Sequence, residues 1–278
     1  MIVWIDGKLL PAAEARVSPF DHGLLVGDGV FETLRVYEGV PFAWTRHCER
    51  LHRSAAGLGL VAPDAGLLRG AADSVLESNR LTEARLRVTV TGGPSPLGSE
   101  RGDGDPTVIL AASAMRASPP TVSVVNAPWT RNERSAVTGL KTTSYAENVR
   151  ALAYAHERDA SEAMLANTRG DLCEATGSNV FLVRGGILLT PPISAGCLPG
   201  VTRALVLELC ARNGIPAREV DLPPAALGDA DEAFLTSSTR EVQPISGVDG
   251  RSLPAAPGPV TARLAGLFAA LVATNLDP

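Results

Sequence analysis

Strand-like and helix-like segments are mixed irregularly along the 278 residues, and this order constrains the fold more than any other feature of the sequence. Runs of β-branched or alternating apolar residues predict strands, and apolar residues spaced three and four positions apart predict helices. The two kinds of segment do not follow a strict strand–helix–strand alternation, and no segment repeats. The order therefore favours an α+β architecture over a doubly wound parallel sheet.

The first part of the chain predicts strands around tight turns, followed by two helices. Turns are expected at 6–7 and 38–39. Thr45 is expected to cap the first helix, and Asp64 is expected to open the second helix over 65–78. Strands are predicted over 2–5, 30–37, 40–44, 85–91 and 107–112.

A stiff stretch, Ser118-Pro119-Pro120, lies between two apolar runs and is the expected domain linker. It divides the chain into unequal domains, 1–117 and 118–278. In the second domain, strands are predicted over 122–126, 162–166, 179–183, 187–190, 217–221 and 232–237. Helices are predicted over 146–158, 202–213 and 260–273.

Composition and charge exclude several classes of function. With 25 basic and 30 acidic side chains the formal net charge is −5, which gives no reason to invoke nucleic acid or an anionic membrane. No stretch approaches the ~20 apolar residues of a membrane span, and the N-terminus lacks the apolar run of a signal peptide, so a cytoplasmic location is expected. The four cysteines are scattered, so buried thiols are expected rather than disulfides or a metal site.

Lysine is scarce in this chain. Of the 25 basic residues 23 are arginine, and only Lys8 and Lys141 are lysine. Because arginine stays protonated, only these two amines could act as a nucleophile or form a Schiff base. Lys141 lies between an apolar dipeptide and a run of hydroxyl residues, with Tyr145 four positions further on. The alternative is an ordinary surface lysine in a loop, which scarcity alone does not exclude.

Three further segments carry groups that could bind an anion or a charged ring. The segment 196–203 places glycines before a helix, where backbone N–H groups and the helix dipole often hold phosphate. The segment 236–240 offers hydroxyls and one guanidinium after a strand. Glu174 precedes a turn of small residues, where it could bind a protonated ring nitrogen. The alternatives are a plain helix start, an ordinary hydroxyl-rich turn and a solvated or capping carboxylate.

These segments occur in an order that resembles a known family. The segments are 20–33 (FDHGLLVGDGVFET), Arg50-Leu51, Lys141 with Tyr145, 174–181, 198–203 and 234–238. Together they resemble the class IV aminotransferases, the fold type IV pyridoxal phosphate (PLP) enzymes. That family includes branched-chain and D-amino acid aminotransferases, (R)-amine transaminases and 4-amino-4-deoxychorismate lyases.

The resemblance spans nearly the whole chain and implies an architecture and an assembly. It implies a smaller N-terminal α/β domain and a larger C-terminal PLP-binding domain with a barrel-like sheet. It also implies a homodimer with active sites at the interface.

The resemblance implies roles for individual residues as well. Lys141 resembles the Schiff-base lysine, Glu174 resembles the acid that keeps the pyridine nitrogen protonated, and Tyr145 resembles the tyrosine beside the phenolic oxygen of pyridoxal 5'-phosphate. The positions that correspond to phosphate ligands are Arg50, Val201, Thr202 and Ser238.

Substrate positions are implied by the same comparison. Phe31 and Arg35 correspond to pocket-lining positions, and Arg87 corresponds to a carboxylate contact in several relatives. The Arg-x-His motif of the D-amino acid aminotransferases and the Tyr-x-Arg-Pro motif of the branched-chain enzymes are both incomplete in the segment 85–89. Further candidate substrate ligands are therefore Arg131, Thr239 and Arg240.

Three functional hypotheses follow from the resemblance. The leading one is a PLP-dependent transaminase that moves an amino group between an amino acid or (R)-amine and a 2-oxo acid. Because the segment 139–149 looks closest to the lyase branch, the alternative is a 4-amino-4-deoxychorismate lyase that releases pyruvate and 4-aminobenzoate. The third is a non-catalytic PLP-binding homologue, which predicts no covalent adduct on Lys141.

Overall fold

The computed structural model describes residues 1–278, and its internal contacts divide the chain into two units. The first unit comprises Met1–Arg116, Leu140–Tyr145 and Asn275–Pro278. The second unit comprises Ala117–Gly139 and Ala146–Thr274. The segment with Lys141 thus belongs to the first unit, although a division at the proline-rich stretch assigns it to the second domain.

The first unit is a six-stranded antiparallel sheet with helices. Its strands are β1 (Ile2–Ile5), β2 (Lys8–Pro11), β3 (Gly29–Tyr37), β4 (Val40–Pro41), β5 (Ala84–Thr91) and β6 (Val108–Ala114), in the order β2-β1-β6-β5-β3-β4. Its helices are α1 (His22–Leu25), α2 (Trp44–Leu58) and α3 (Ala65–Ser78). The predicted strands and the second predicted helix are confirmed apart from shifts of one or two residues and the strand at 40–44.

Strand alternation sends apolar side chains to one face of this sheet, where α2 and α3 pack. Leu34 of β3 lies opposite Leu86 of β5, and both are fully buried. Because successive side chains of a strand point to opposite faces, Phe31, Arg35 and Arg87 lie on the other face. Burial of each core leucine stabilises the fold by about 1.5–3 kcal/mol relative to exposure.

The start of α2 differs from the prediction. The strand expected over 40–44 ends at Pro41, and Ala43 caps the helix in a left-handed conformation with φ 52°. Thr45 is not the cap: its backbone N–H and its hydroxyl donate to Asp277, at 2.9 and 2.6 Å. A carboxylate at this position satisfies a free N–H group and complements the helix dipole. The last residues of the chain therefore brace the start of α2.

A charged histidine ties the loop after β5 to the segment before β3. Nδ1 of His22 is 2.9 Å from an Asp28 carboxylate oxygen, and Nε2 is 3.0 Å from the carbonyl oxygen of Gly98. Because both partners can only accept, both ring nitrogens must donate, so the ring carries a proton on each. These two hydrogen bonds raise the pKa of His22. Arg101 also donates twice to Asp28, at 2.7 Å each.

The second unit is built on a mixed nine-stranded sheet that curls into a half-barrel. Its strands are β7 (Val122–Arg131), β8 (Glu162–Asn167), β9 (Leu172–Ala175), β10 (Asn179–Arg184), β11 (Ile187–Thr190), β12 (Ala217–Glu219), β13 (Glu232–Ser237), β14 (Glu241–Val248) and β15 (Arg251–Ser252). Its helices are α4 (Ala146–His156), α5 (Val201–Arg212), α6 (Ala225–Gly228) and α7 (Pro259–Thr274), with a 3₁₀ turn at Ile193–Ala195. The predicted α+β fold with a barrel-like sheet in the larger part is confirmed.

Three strands of the half-barrel, β9, β14 and the two-residue β15, were not expected from the sequence. β9 has only four residues, and β14 contains Pro244 and Gly247, both of which argue against a strand. In β14 the register shifts between Ile245 and Gly247, so a bulge accommodates the irregular residues. β7 also extends to Arg131, five residues beyond its predicted end.

The four cysteines, Cys48, Cys173, Cys197 and Cys210, are buried free thiols, as the composition predicted. Burial raises the pKa of the Cys48 and Cys197 thiols to about 12 and that of Cys210 to about 11. None of the helices combines the length and the hydropathy that crossing a bilayer requires.

Candidate functional site

The backbone around Lys141 is fixed on two sides. Lys141 accepts a hydrogen bond at its carbonyl oxygen from the Phe31 N–H (3.0 Å), and Thr143 donates to the carbonyl oxygen of Gly29 (2.8 Å). This short segment thereby extends the sheet beside the beginning of β3. The N–H of Lys141 donates to the Ser54 hydroxyl of α2 at 3.1 Å. The lysine side chain consequently starts from a well-defined position in the first unit.

The Lys141 side chain lies among aromatic groups and is half-buried. Its Nζ atom is 3.3 Å from the Tyr145 hydroxyl oxygen and 4.4 Å from the centroid of the Phe31 ring. The rings of Phe31 and Tyr145 pack edge to face with centroids 5.1 Å apart. The guanidinium carbon of Arg87 lies 3.7 Å from the same Phe31 centroid. Four of the predicted site residues are therefore brought together on one side of the first sheet.

Arg50, the predicted phosphate ligand of the first unit, is buried beneath this segment. Its Nε and Nη2 atoms each donate to a different carboxylate oxygen of Glu32, both at 2.7 Å. His47, one turn earlier on α2, lies with Nδ1 2.7 Å from the second of these oxygens. Burial by itself would raise the pKa of Glu32, but the charges of Arg50 and His47 outweigh it and hold that pKa far below its usual range.

The two other candidate site arginines of the first unit, Arg35 and Arg87, differ in their partners. Arg35 pairs with Glu83 at 2.8 Å, and its guanidinium lies 4.9 Å from the Tyr37 ring centroid. Arg87 is exposed, donates to the Thr89 hydroxyl at 3.1 Å and forms no ion pair. Of these two, only Arg87 is without a carboxylate partner and can pair with an incoming carboxylate without losing one.

Glu174 lies on β9 in the second unit, where it is buried. One carboxylate oxygen accepts from the Leu198 N–H at 2.9 Å, and the other lies 3.5 Å from Nε of Arg131. Arg131 also donates to the Asn148 side-chain oxygen at 3.2 Å. Glu174 is therefore held in place from both sides. The contacts bring together Arg131 and Glu174, whose proximity the sequence did not indicate.

The remaining arginine candidate, Arg240, is also paired within the protein. Its Nε is 3.2 Å from a carboxylate oxygen of Glu162, and its Nη1 contacts the Gln243 side-chain oxygen. The same carboxylate accepts from Gly177 N–H and from the Ser178 hydroxyl, both at 2.9 Å. Glu162 thus joins the turn after Glu174 to the turn that holds Arg240.

The start of α5 offers backbone donors. The helix is capped by Gly200 without any side-chain hydrogen bond, and its first internal bond runs from the Ala204 N–H to the Gly200 carbonyl oxygen (3.0 Å). The N–H groups of Val201 and Thr202 therefore precede the helical ladder. A Cβ atom on Gly200 would lie 2.1 Å from the side-chain oxygen of Asn179, so any larger residue would displace the Asn179 side chain.

Two predicted hydroxyl ligands lie at a hairpin tip of the same unit. Ser238 and Thr239 occupy the half-buried turn between β13 and β14, and Arg240 follows them. Short hydroxyl side chains in a turn and a helix start without a side-chain cap are both suited to binding phosphate oxygens.

Sequence reasoning missed several buried polar residues that position the site. Glu32, His47, Asn148 and Glu162 are all buried and bond to predicted site residues or to their turns. One signal was available: Glu32 lies between Val30 and Leu34 on the alternating buried side of β3. A carboxylate at such a position requires a partner, and the i, i+3 pair of basic residues on the next helix could supply it.

A family profile matches most of the chain. The sequence profile described as Amino-transferase class IV matches residues 29–248. The chain therefore belongs to the class IV aminotransferase family, and the resemblance noted in the sequence is confirmed.

Two curated relatives are enzymes of this family. The chain is 37% identical over 265 residues to a putative branched-chain-amino-acid aminotransferase of Methanocaldococcus jannaschii, covering 90% of this chain and 89% of that protein. It is 32% identical over 271 residues to a D-alanine aminotransferase of Bacillus licheniformis, covering 94% and 93%. The class of enzyme is thus an aminotransferase of class IV.

Solved structures agree with the fold. The branched-chain amino acid aminotransferase of Escherichia coli matches with a TM-score of 0.92 and 29% identity, over 97% of this chain and 94% of that one. A putative 4-amino-4-deoxychorismate lyase of Legionella pneumophila matches with a TM-score of 0.88 and 25% identity, over 93% and 96%. Fold type IV is confirmed, and both enzyme types share it.

Proposed function

We propose that the protein is a PLP-dependent transaminase that transfers an amino group between an amino acid or (R)-amine and a 2-oxo acid. The observation that carries the proposal is the environment of Lys141. Its amine is half-buried, 3.3 Å from a tyrosine hydroxyl, on a segment held by backbone hydrogen bonds. The other lysine, Lys8, is exposed on β2.

The donor set fits pyridoxal 5'-phosphate. An amine can hold its aldehyde carbon covalently, and a carboxylate fixed by a backbone N–H can hold the pyridine nitrogen in its protonated form. A guanidinium and a helix start without a side-chain cap suit the phosphate. In this assignment Lys141, Glu174, Arg50, Val201, Thr202 and Ser238 bind the cofactor.

The residues of the chain then have separate tasks in the reaction. When bound, PLP supplies an electron sink for the electron pair released at the substrate α-carbon. Lys141 Nζ would hold the cofactor covalently and would also be the base that accepts the proton from the substrate α-carbon and later redelivers it. Tyr145 lies within hydrogen-bond distance of Nζ and orients the amine, and it would also bind the phenolic oxygen of the cofactor. Glu174 keeps a proton on the ring nitrogen.

Arg87 is the residue that we assign to the substrate carboxylate. It stacks on Phe31, the same ring that faces the Lys141 amine, and it forms no ion pair. Arg35, Arg131 and Arg240 each have carboxylate partners in the protein, so we assign them to positioning. Thr239 remains a candidate ligand beside Ser238. We further propose a cytoplasmic location and a homodimer. Size-exclusion chromatography with light scattering tests the homodimer.

Borohydride reduction of the holoenzyme tests the covalent assignment. Reduction should fix the cofactor to one peptide, and mass spectrometry should locate it on Lys141. Lys141→Ala should lose both the adduct and activity, while Lys8→Ala, the matched control, should keep both. An adduct on Lys8, or full activity of Lys141→Ala, would overturn the proposal. Absence of any adduct in the folded protein would favour the non-catalytic homologue.

The lyase is a second candidate because a putative 4-amino-4-deoxychorismate lyase shares the fold at a TM-score of 0.88. Two incubations separate the reactions. A transaminase should convert an amino acid or an (R)-amine with a 2-oxo acid and should change the cofactor spectrum to that of the pyridoxamine form. A lyase should release 4-aminobenzoate from aminodeoxychorismate without any added 2-oxo acid.

A further inference from the structure

Glu32 is a charged residue in an otherwise apolar strand face. Along β3 it lies between Val30 and Leu34, which are 0% and 1% exposed, and it is itself 1% exposed. Burying a carboxylate costs several kcal/mol unless it is paired, and a buried ion pair often stabilises a fold less than an apolar pair of the same size. Fold stability therefore does not explain why a carboxylate is placed here.

The geometry of the Glu32 contacts indicates a different task. Its two oxygens grip the Nε–Nη2 edge of the Arg50 guanidinium at 2.7 Å each, a bidentate arrangement that fixes both the plane and the direction of the group. His47 holds the carboxylate at 2.7 Å, which fixes its rotation in turn. A side chain with several rotatable bonds is thereby reduced to one orientation.

We propose that Glu32 is a positioning residue that locks the Arg50 guanidinium so that its opposite edge is directed to the phosphate of the cofactor. This inference rests on the proposed function, in which Arg50 is a phosphate ligand. His47 is the second element of the same device, because it fixes the carboxylate that fixes the arginine. Neither residue contacts the reacting atoms in this assignment.

Charge and position predict opposite effects of removing the carboxylate. The negative charge of Glu32 compensates the positive charge of Arg50, so Glu32→Gln increases the net positive charge at the site. If Glu32 served only to neutralise Arg50, this variant would bind an anionic phosphate as tightly or more tightly. If Glu32 positions Arg50, the variant loses the bidentate lock and binds the phosphate more weakly.

The ratio of the affinities for pyridoxal 5'-phosphate and for pyridoxal isolates the phosphate contacts. Holoenzyme is dialysed to equilibrium against graded concentrations of either compound, and the bound fraction is measured by absorbance after alkaline release. Glu32→Gln should lower the ratio about tenfold or more while leaving the pyridoxal affinity nearly unchanged. The matched control is Glu232→Gln, which removes another buried carboxylate that accepts two backbone N–H groups. It should leave the ratio unchanged.

The affinity ratios of the variants test the role of Glu32 separately from the role of Arg50. An unchanged or higher ratio in Glu32→Gln would overturn the positioning role. If Arg50→Gln leaves the ratio unchanged, Arg50 is not a phosphate ligand and the proposed function fails at that point, whatever Glu32 does. Should Glu32→Gln not fold, Glu32→Asp keeps the charge but shifts the carboxylate by about one methylene. A wild-type ratio in that variant would equally refute positioning.

Discussion

Replacing Arg87 with glutamine provides the sharpest test of substrate recognition. Arg87 is exposed and forms no ion pair, but it stacks on Phe31, so its loss should change stability by no more than about 1 kcal/mol. Its hydrogen bond to a substrate carboxylate would be charge-assisted, and such a bond contributes about 1.5–3 kcal/mol. If this contribution is lost in the transition state, kcat/KM for an amino acid falls about 13- to 160-fold.

The assay compares two donors that differ only at the carboxylate. Steady-state rates are measured with an amino acid and with the amine in which hydrogen replaces its carboxylate. Arg87→Gln should lose kcat/KM for the amino acid and keep it for the amine. Arg85→Gln is the matched control, because Arg85 is exposed on the same face of β5, two residues earlier. It should behave like the wild type with both donors.

Two results would refute this reasoning. Equal losses for both donors would mean that Arg87 acts on the Phe31 and Lys141 cluster rather than on the carboxylate. Equal effects of Arg85→Gln and Arg87→Gln would mean that only the general positive charge of the face matters. Thermal unfolding of each variant, compared with the wild type, excludes a loss of folded protein as the cause.

Three other perturbations test individual contacts. The pKa of His22 is raised above 6.5, so its stabilising contribution is fully present below pH 6.5 and is lost as the pH rises through the folded pKa. Hydrogen exchange in the loop 92–105, corrected for its intrinsic pH dependence, should therefore accelerate as the pH passes the folded pKa. His22→Gln should abolish this acceleration. Leu34→Ala, at a fully buried site, should cost about 2–5 kcal/mol in urea unfolding. Cys48, with a pKa of about 12, should react with a disulfide reagent only after unfolding.

For each of these three predictions, one result would contradict it. A loop whose exchange does not change with pH would contradict the charged state of His22. A loss below 1 kcal/mol for Leu34→Ala would contradict its place in the core. Rapid labelling of Cys48 in the native protein would contradict its burial.

Elements governed by local sequence were the most predictable parts of the fold. Asp64 accepts from the Gly66 N–H as a side-chain cap, and α3 begins and ends at the predicted residues 65 and 78. The start of α2 was not predictable, because its partner Asp277 is distant in sequence. β14 was not predicted because Pro244 and Gly247 oppose strand formation locally. Its pairing with β7 and β13 stabilises the strand in spite of these residues.

The same distinction applies to the candidate site. Lys141 and Glu174 could be proposed from their order along the chain, since the motifs around them are contiguous. The partners of the arginines could not be predicted, because the sequence around an arginine does not specify which carboxylate will pair with it. Arg131 beside Glu174 and Arg50 beside Glu32 depend on pairings between separate strands and helices, which only the tertiary structure specifies.

The interleaving of the two units along the chain limits how such an enzyme can be recombined. The chain passes between the units after residues 116, 139, 145 and 274, so neither unit is one continuous segment. A chimera that exchanges 1–116 alone would bring in a foreign Arg50 with its Glu32 but would keep the resident Lys141 segment and the resident Asp277. Successful exchange requires three segments, 1–116, 140–145 and 275–278, to be transferred together. The first unit therefore has to be exchanged as a whole, although its residues are not contiguous in sequence.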